Sequence, residues 1–137
     1  MFIVLIRLLL DFGLLVLIWI VQRIIYPSFM YVEPEHLVKW HRSYTTRFTL
    51  IVLPLMLGQL SVSIYQLIFE TNVYTVISII IIALLWLSTF LQFIPIHAEI
   101  SKGNVSEKML KSLVKKNWIR TMLWTLLCAY SMFNTLS

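Results

Sequence analysis

The sequence predicts an all-α fold, a transmembrane four-helix antiparallel bundle with cytoplasmic helical extensions before spans two and four. Three observations predict it. The 137 residues are 60% hydrophobic and only 12% charged, whereas a soluble domain is nearer half apolar and a quarter charged. Four continuous apolar runs, residues 2–22, 48–69, 73–96 and 118–135, are each long enough to cross a hydrocarbon core of about 30 Å. The basic residues behind the net charge of +5 gather on alternate connections. The length suits a single integral membrane domain covering 1–137.

Span one begins almost at Met1, without a basic region ahead of it or a small-residue cleavage site after it, so it reads as a span and not a cleaved signal. After it, Glu33 precedes Pro34, a pairing that suits the first turn of a helix, and this helix is expected to run unbroken into span two. Pro54 and Pro95 each remove a backbone donor, so spans two and three should kink there. Gly103 should end the helix of span three. Asn104 with Glu107 three residues on reads as a capping box for the helix that leads into span four. The runs are continuous and do not alternate, which argues against the short strands of a barrel.

Direction follows from lysine and arginine. Arg23, Lys39, Arg42 and Arg47 lie between spans one and two. Lys102, Lys108, Lys111, Lys115, Lys116 and Arg120 lie around the third connection and the start of span four. The connection FETNVY and the C-terminal end carry none, and only Arg7 falls on that side. Positive loops face the cytoplasm, which puts both termini on the outer side. The same placement excludes a nucleic-acid face, because the cations flank apolar runs and sit where anionic lipid would meet them. Cys128 is the only cysteine, so neither a disulfide framework nor a thiolate metal cage is available.

Within each span the polar side chains fall on one helical side. They are Arg7, Asp11 and Gln22 in span one, and Thr45, Thr49, Gln59, Ser63 and Gln66 in span two. Span three carries Ser78, Ser88, Thr89, Gln92 and Glu99; span four carries Asn117, Arg120, Thr121, Cys128 and Ser131. Ser61 is the exception. A polar group at mid-membrane costs up to about 2.5–3.5 kcal/mol unless it finds a partner, so the stripes should turn inward. Arg7 and Asp11, four apart, can pair, with Arg7 snorkelling toward the outer surface.

At the cytoplasmic end the four spans bring together QRIIYPSF, WHRSYTTR, QFIPIHAEI and KNWIRT. Two readings stand. In one, aromatic residues form an interface belt and cations touch phosphates. In the other these segments form a site, with His41, His97 and Arg120 as its chemical groups and Tyr26, Tyr44, Gln92, Glu99, Asn117 and Trp118 lining it. Imidazole moves protons near neutral pH, and a guanidinium fixes an oxygen in place. The histidine spacing forms no metal-ligand motif, so no metal is expected, and no cofactor is named by any motif. In an unbroken helix His97 falls off the stripe, which leaves its direction open.

YPSF, LPLM, IPIH and NWIRT together resemble the small four-span bacterial membrane proteins of the anthrone-oxygenase-like superfamily. That family carries Val-Pro-Leu-Xaa-Asn at the end of span three and Trp and Arg at the start of span four. IPIHAEI and NWIRT occupy these places, with Ala98 and Glu99 where the Asn would stand. The resemblance runs along nearly the whole chain and implies Pro95, His97, Trp118 and Arg120 as matching positions. It implies a multi-pass protein of the bacterial inner membrane. Most members are of unknown function; a few fungal relatives oxidise anthrones without an evident cofactor. A second four-span family, the membrane protoporphyrinogen oxidases, uses a histidine in span one, and this chain has none there.

Two functions follow as expectations. One is a polar, cytoplasm-facing pocket inside the bundle for a small hydrophobic molecule, quinone-like or aromatic, with oxidoreductase-like chemistry open to it. The other is a non-enzymatic accessory subunit of a larger membrane complex, or a homo-oligomer, in which the stripes serve packing. A small transporter is disfavoured, because no inverted repeat is visible. Partners in every case begin with the lipid bilayer.

Overall fold

A computed structural model describes all 137 residues, and it contains helices and no strand. Helix α1 (Phe2–Ile20) continues through a π turn, Val21–Ile25, into the short α2 (Tyr26–Ser28) and a 3-10 turn, Phe29–Tyr31. Helix α3 (Pro34–Phe69) is unbroken for 36 residues. Helix α4 (Val73–Ser88) passes through a second π turn, Thr89–Phe93, into α5 (Ile94–Ser101), and α6 (Glu107–Leu136) completes the chain. These form four long rods. Three of them, Phe2–Tyr31, Pro34–Phe69 and Val73–Ser101, are long and apolar enough to cross a membrane.

The fourth rod, α6, does not reach that apolarity. Its inward face carries Asn117, Arg120, Thr121 and Ser131, all buried, so much of its polarity is hidden from the outside. The outer faces are different. Leu9, Leu50 and Leu91 are 72%, 73% and 73% exposed, and large apolar side chains cover the perimeter of all four rods. A water-soluble monomer rarely exposes so much contiguous apolar surface; this is a surface suited to lipid.

Local chemistry sets the helix ends. Glu33 stands at the N-cap of α3 with Pro34 at its first position, as the sequence indicates, and the helix continues without a break through Pro54. A reciprocal capping box starts α4: Asn72 Oδ1 accepts from Thr75 N at 3.0 Å, and Thr75 Oγ1 accepts from Asn72 N at 2.9 Å. Gly103 turns the chain after α5 with φ of +88°, a conformation in which a Cβ is disfavoured. The cap of α6 is Ser106, whose Oγ accepts from Met109 N at 3.2 Å. This corrects the expected Asn104–Glu107 box. The positive-φ turn carries Asn104 back to Glu99, to which it donates at 2.9 Å, and the helix begins only at Glu107.

Each rod packs on two others, α1 on α3 and α6, and α4 on α3 and α6. The partner numbers on α6 fall as those on α1 rise: Asp11 meets Ser131, Trp19 meets Thr125, and Gln22 meets Asn117. Along α3, Arg7 meets Gln66 and Asp11 meets Gln59. Along α4, Tyr74 meets Ser131 while Thr89 meets Arg120.

Lipid tails are as apolar as leucine, so polar contacts do much of the work of holding such rods together. One polar layer lies toward the chain ends. Arg7 Nε donates to both Asp11 oxygens at 3.0 Å, and its Nη1 donates to Gln66 Oε1 at 3.0 Å. Asp11 also accepts from Gln59 Nε2 at 2.7 Å and from Ser131, which is joined to Tyr74 OH at 2.7 Å. Arg7 and Asp11 are 1% and 0% exposed. Arg7 therefore does not snorkel. Its Nε and Nη1 are held by the carboxylate and the Gln66 amide, with the Tyr74 ring 5.5 Å from Cζ; only Nη2 is left without a partner, and the Asp11 charge is close enough to keep the cation inside.

The two π turns explain what regular periodicity misses. Each ends two residues before a proline, Pro27 or Pro95. A proline ring crowds the carbonyl four residues back in an α-helix; at these two positions, unlike at Pro54, the helix takes up one extra residue just ahead of the ring. The insertion also resets the inward face. His97 lies twelve residues after Leu85, which in a regular helix puts it about 120° off the inward line; the extra residue returns about 100° of that. Tyr26, eight residues after Ile18, is corrected from about 80° to about 20° in the same way. Tyr26, Phe93 and Ile100 are accordingly buried and His97 is partly buried, while Gln92 is turned to the outside.

Candidate functional site

Between two apolar clusters, one around Leu14, Met56, Ile82 and Trp124 and the other around Tyr26, Phe29, Tyr44 and Phe93, lies a cavity of about 390 Å³. Leu14, Ile18, Val52, Met56 and Phe48 form its apolar walls. Its polar groups are Tyr26, Tyr44, Thr45, Thr49, Thr89, His97, Ser101 and Arg120. Of the lining residues, Thr49 on α3 and Ile94 and Ala98 on α5 are exposed, so the cavity reaches the outside on the flank where α3 faces α5.

Arg120 is 7% exposed and belongs to no ion pair. Its Nη2 donates to Thr89 Oγ1 at 3.0 Å, and Nε has no partner. Its Cζ sits 4.2 Å from the centre of the Phe93 ring and 5.2 Å from that of Trp124. Aromatic faces stabilise a cation by about 2 kcal/mol when it is desolvated, but they leave its N–H groups without acceptors. Asp11, the one carboxylate buried in the interior, meets α6 at Ser131, eleven residues and so about 16 Å along the helix from Arg120. The indole N–H of Trp124, on the same wall, also lacks an acceptor.

Beside Arg120 runs a chain of four side chains. Tyr26 OH lies 3.0 Å from His97 Nε2; His97 Nδ1 lies 2.6 Å from His41 Nε2; His41 Nδ1 lies 3.1 Å from Ser101 Oγ. The two ring planes lie within 23° of each other and the centroids are 4.9 Å apart, the arrangement of rings joined edge to edge through their nitrogens rather than stacked face to face. Phe29 and Tyr44 pack on His41 at 5.6 and 6.3 Å. Arg42 clamps the end of the chain by donating from Nε and Nη2 to the Ser101 carbonyl at 2.9 and 2.6 Å. The geometry allows two complete arrangements of hydrogens. In one, Tyr26 donates to His97, His97 to His41 and His41 to Ser101. In the other every bond is reversed. A neutral imidazole always offers one donor and one acceptor, so each arrangement satisfies all four groups.

The expected site residues divide by position. Tyr26, Tyr44, His97 and Arg120 line the cavity, and His41 stands behind His97. Asn117 is buried outside it, donating to Gln22 Oε1 at 2.9 Å; Thr121 donates to the same oxygen at 3.0 Å, and Gln22 Nε2 donates to the Val114 carbonyl at 3.1 Å. These bonds tie the first π turn to α6. Trp118 packs edge-on against Trp19, centroids 5.7 Å apart, and does not wall the cavity. Gln92 lies on the outer face beside Ser88. Glu99 points away toward Lys102 and Asn104. Three cavity groups had not been singled out for the site. Phe93 is brought in only by the π turn, whereas Trp124 sits four residues after Arg120 and Ser101 four after His97, a helical spacing readable from the sequence.

No family model, curated protein or solved structure matches this chain.

Proposed function

We propose that the chain is a multi-pass protein of the bacterial inner membrane, an antiparallel four-helix bundle whose interior pocket binds a small lipid-soluble molecule, aromatic or quinone-like, by an oxygen-bearing end. The observation that carries this reading is Arg120, a buried guanidinium without a carboxylate partner on the wall of an otherwise largely apolar cavity. A buried cation is costly unless something compensates it. An oxygen acceptor entering beside Thr89, Phe93 and Trp124 supplies that compensation and leaves the apolar body of the ligand against Leu14, Ile18 and Met56. Small-molecule pockets have this character, mostly apolar with a few convergent polar groups.

The exposed lining residues Thr49, Ile94 and Ala98 support entry from the side, between α3 and α5, the natural route for a molecule dissolved in lipid. The lysines and arginines of the two longer connections support an orientation with this end of the bundle at the cytoplasmic leaflet, and both termini and the Arg7–Asp11 layer toward the outer side. Helix α6 crosses with its polar face inward, and the first turns of α3 and α6 are its cytoplasmic extensions.

The test is equilibrium binding to the purified protein in lipid nanodiscs, using menadione and lapachol, a hydroxynaphthoquinone with an apolar tail. Saturable binding of either probe is expected, weakened about tenfold or more by Arg120→Met, the scale of one hydrogen bond to a charged group. Binding that never saturates, or that is unchanged in a folded Arg120→Met protein, overturns the proposal.

A further inference from the structure

We infer that Tyr26, His97, His41 and Ser101 form a proton conduit from the cavity to the surface at the end of α5, and that the site takes a weakly acidic hydroxyl compound from the membrane in its neutral form and holds it as the oxyanion. This rests on the pocket proposed above and adds the acid–base event that occurs in it.

The conduit is continuous in hydrogen-bond distances, 3.0, 2.6 and 3.1 Å. Its inner end, Tyr26, is buried on the cavity wall; its outer end, Ser101, also lines the cavity but is partly exposed, beyond Ala98 on the flank where the cavity opens between α3 and α5. The two hydrogen arrangements differ by one proton moved from end to end, which is the requirement for a relay. The ligand O–H bond breaks and its proton goes to the Tyr26 oxygen. Tyr26 gives its own proton to His97 Nε2, His97 passes its Nδ1 proton to His41 Nε2, and His41 passes its Nδ1 proton to Ser101 Oγ. Ser101 releases its original proton to water. Nothing is oxidised or reduced. The oxyanion stays beside Arg120, which otherwise has no counter-charge. A neutral acid crosses lipid easily and its anion does not, so a buried guanidinium and a path for the proton together make such a ligand more welcome than its uncharged analogue. Tyr44 and Arg120 are the other ionisable groups lining the cavity, and neither takes a hydrogen bond from the imidazoles.

The experiment mixes the protein in nanodiscs with lapachol in weakly buffered solution, below the pH at which free lapachol ionises. Its anion absorbs differently from its neutral form, and a pH dye reports the released proton. Menadione, which lacks the hydroxyl, is the control. The wild type is expected to bind lapachol as the anion with one proton released per site, and to bind menadione with none. In His41→Gln the amide keeps polar contacts but cannot hand a proton on, so proton release is expected to lag ligand association by about 100-fold, the scale of a lost acid–base group. Lapachol bound in neutral form, or release as fast in His41→Gln as in wild type, overturns the inference while menadione binding leaves the pocket standing. If neither probe binds, the pocket itself fails and the inference with it. Should His41→Gln not fold, nitrogen NMR of the wild-type histidines decides: coupling between His41 Nε2 and His97 Nδ1 through a shared hydrogen is expected, and its absence breaks the conduit.

Discussion

Removing Asp11 tests the buried polar layer most sharply. Asp11→Leu deletes the acceptor of Arg7, Gln59 and Ser131 at once and leaves the Arg7 guanidinium with only the Gln66 amide and the Tyr74 ring. Breaking one side of a buried ion pair costs about 3–5 kcal/mol, because the surviving charge stays in a low-dielectric site. In Arg7→Met/Asp11→Leu no charge remains, and the loss reduces to polar contacts of Gln59, Gln66 and Ser131, each worth about 0.6 kcal/mol and at most about 1.7 between helices in a membrane. The double variant is therefore expected to be about 1–3 kcal/mol less stable than wild type, milder than Asp11→Leu alone. Arg7→Met alone leaves the Asp11 carboxylate unpaired at a similar cost of about 3–5 kcal/mol, so the coupling from the cycle should be about 3 kcal/mol or more. Reversible unfolding in mixed micelles, followed by circular dichroism, measures it. Additivity within about 0.5 kcal/mol would refute the reasoning, since it would mean that Arg7 reaches water and never depended on Asp11.

Other perturbations probe different parts of the fold. Gln22→Leu strips Asn117, Thr121 and the Val114 carbonyl of their shared partner, so it should cost about 2–4 kcal/mol in the same unfolding assay. Pro95→Ala removes the ring ahead of which the second π turn forms; if the helix regularises, His97 swings about 100° from His41, and the His41–His97 coupling seen by nitrogen NMR should vanish. Leu14→Ala and Leu127→Ala, at buried positions, should cost about 2–5 kcal/mol, whereas Leu9→Ala and Leu50→Ala on the perimeter should cost under about 1 kcal/mol, as measured by melting in detergent.

Much of this arrangement was legible in the sequence because lipid penalises polar groups uniformly. Gln59, Ser63, Gln66, Ser78, Thr121, Cys128 and Ser131 are buried as their stripes require, and the exception, Ser61, is exposed; Thr49, also expected to face inward, is instead exposed because it stands at the open edge of the cavity. What was not legible depends on a single inserted residue. A stripe drawn at constant periodicity through span three carries Gln92 and Glu99 inward and leaves His97 undecided. The π turn at Thr89–Phe93 moves everything after it by one position, so Phe93 and Ile100 turn inward with His97 beside them. Pro95 marked the disturbance, but a proline alone does not say whether a helix kinks, breaks or takes up a residue. Asn117 shows a different limit. Its burial was readable, its partner Gln22 was not, because the first π turn aims Gln22 at α6 and so makes Asn117 a clamp outside the cavity.

The most direct test of the pocket uses Trp124, whose indole shares a wall with Arg120. In a protein in which Trp19, Trp40, Trp86 and Trp118 are replaced by Phe, the remaining fluorescence reports this one position. Titration with menadione in nanodiscs should quench it along a saturating curve, and Arg120→Met should shift that curve to higher concentration. Quenching that rises linearly with menadione in the bilayer, the same with and without Arg120, would contradict a binding site at Trp124.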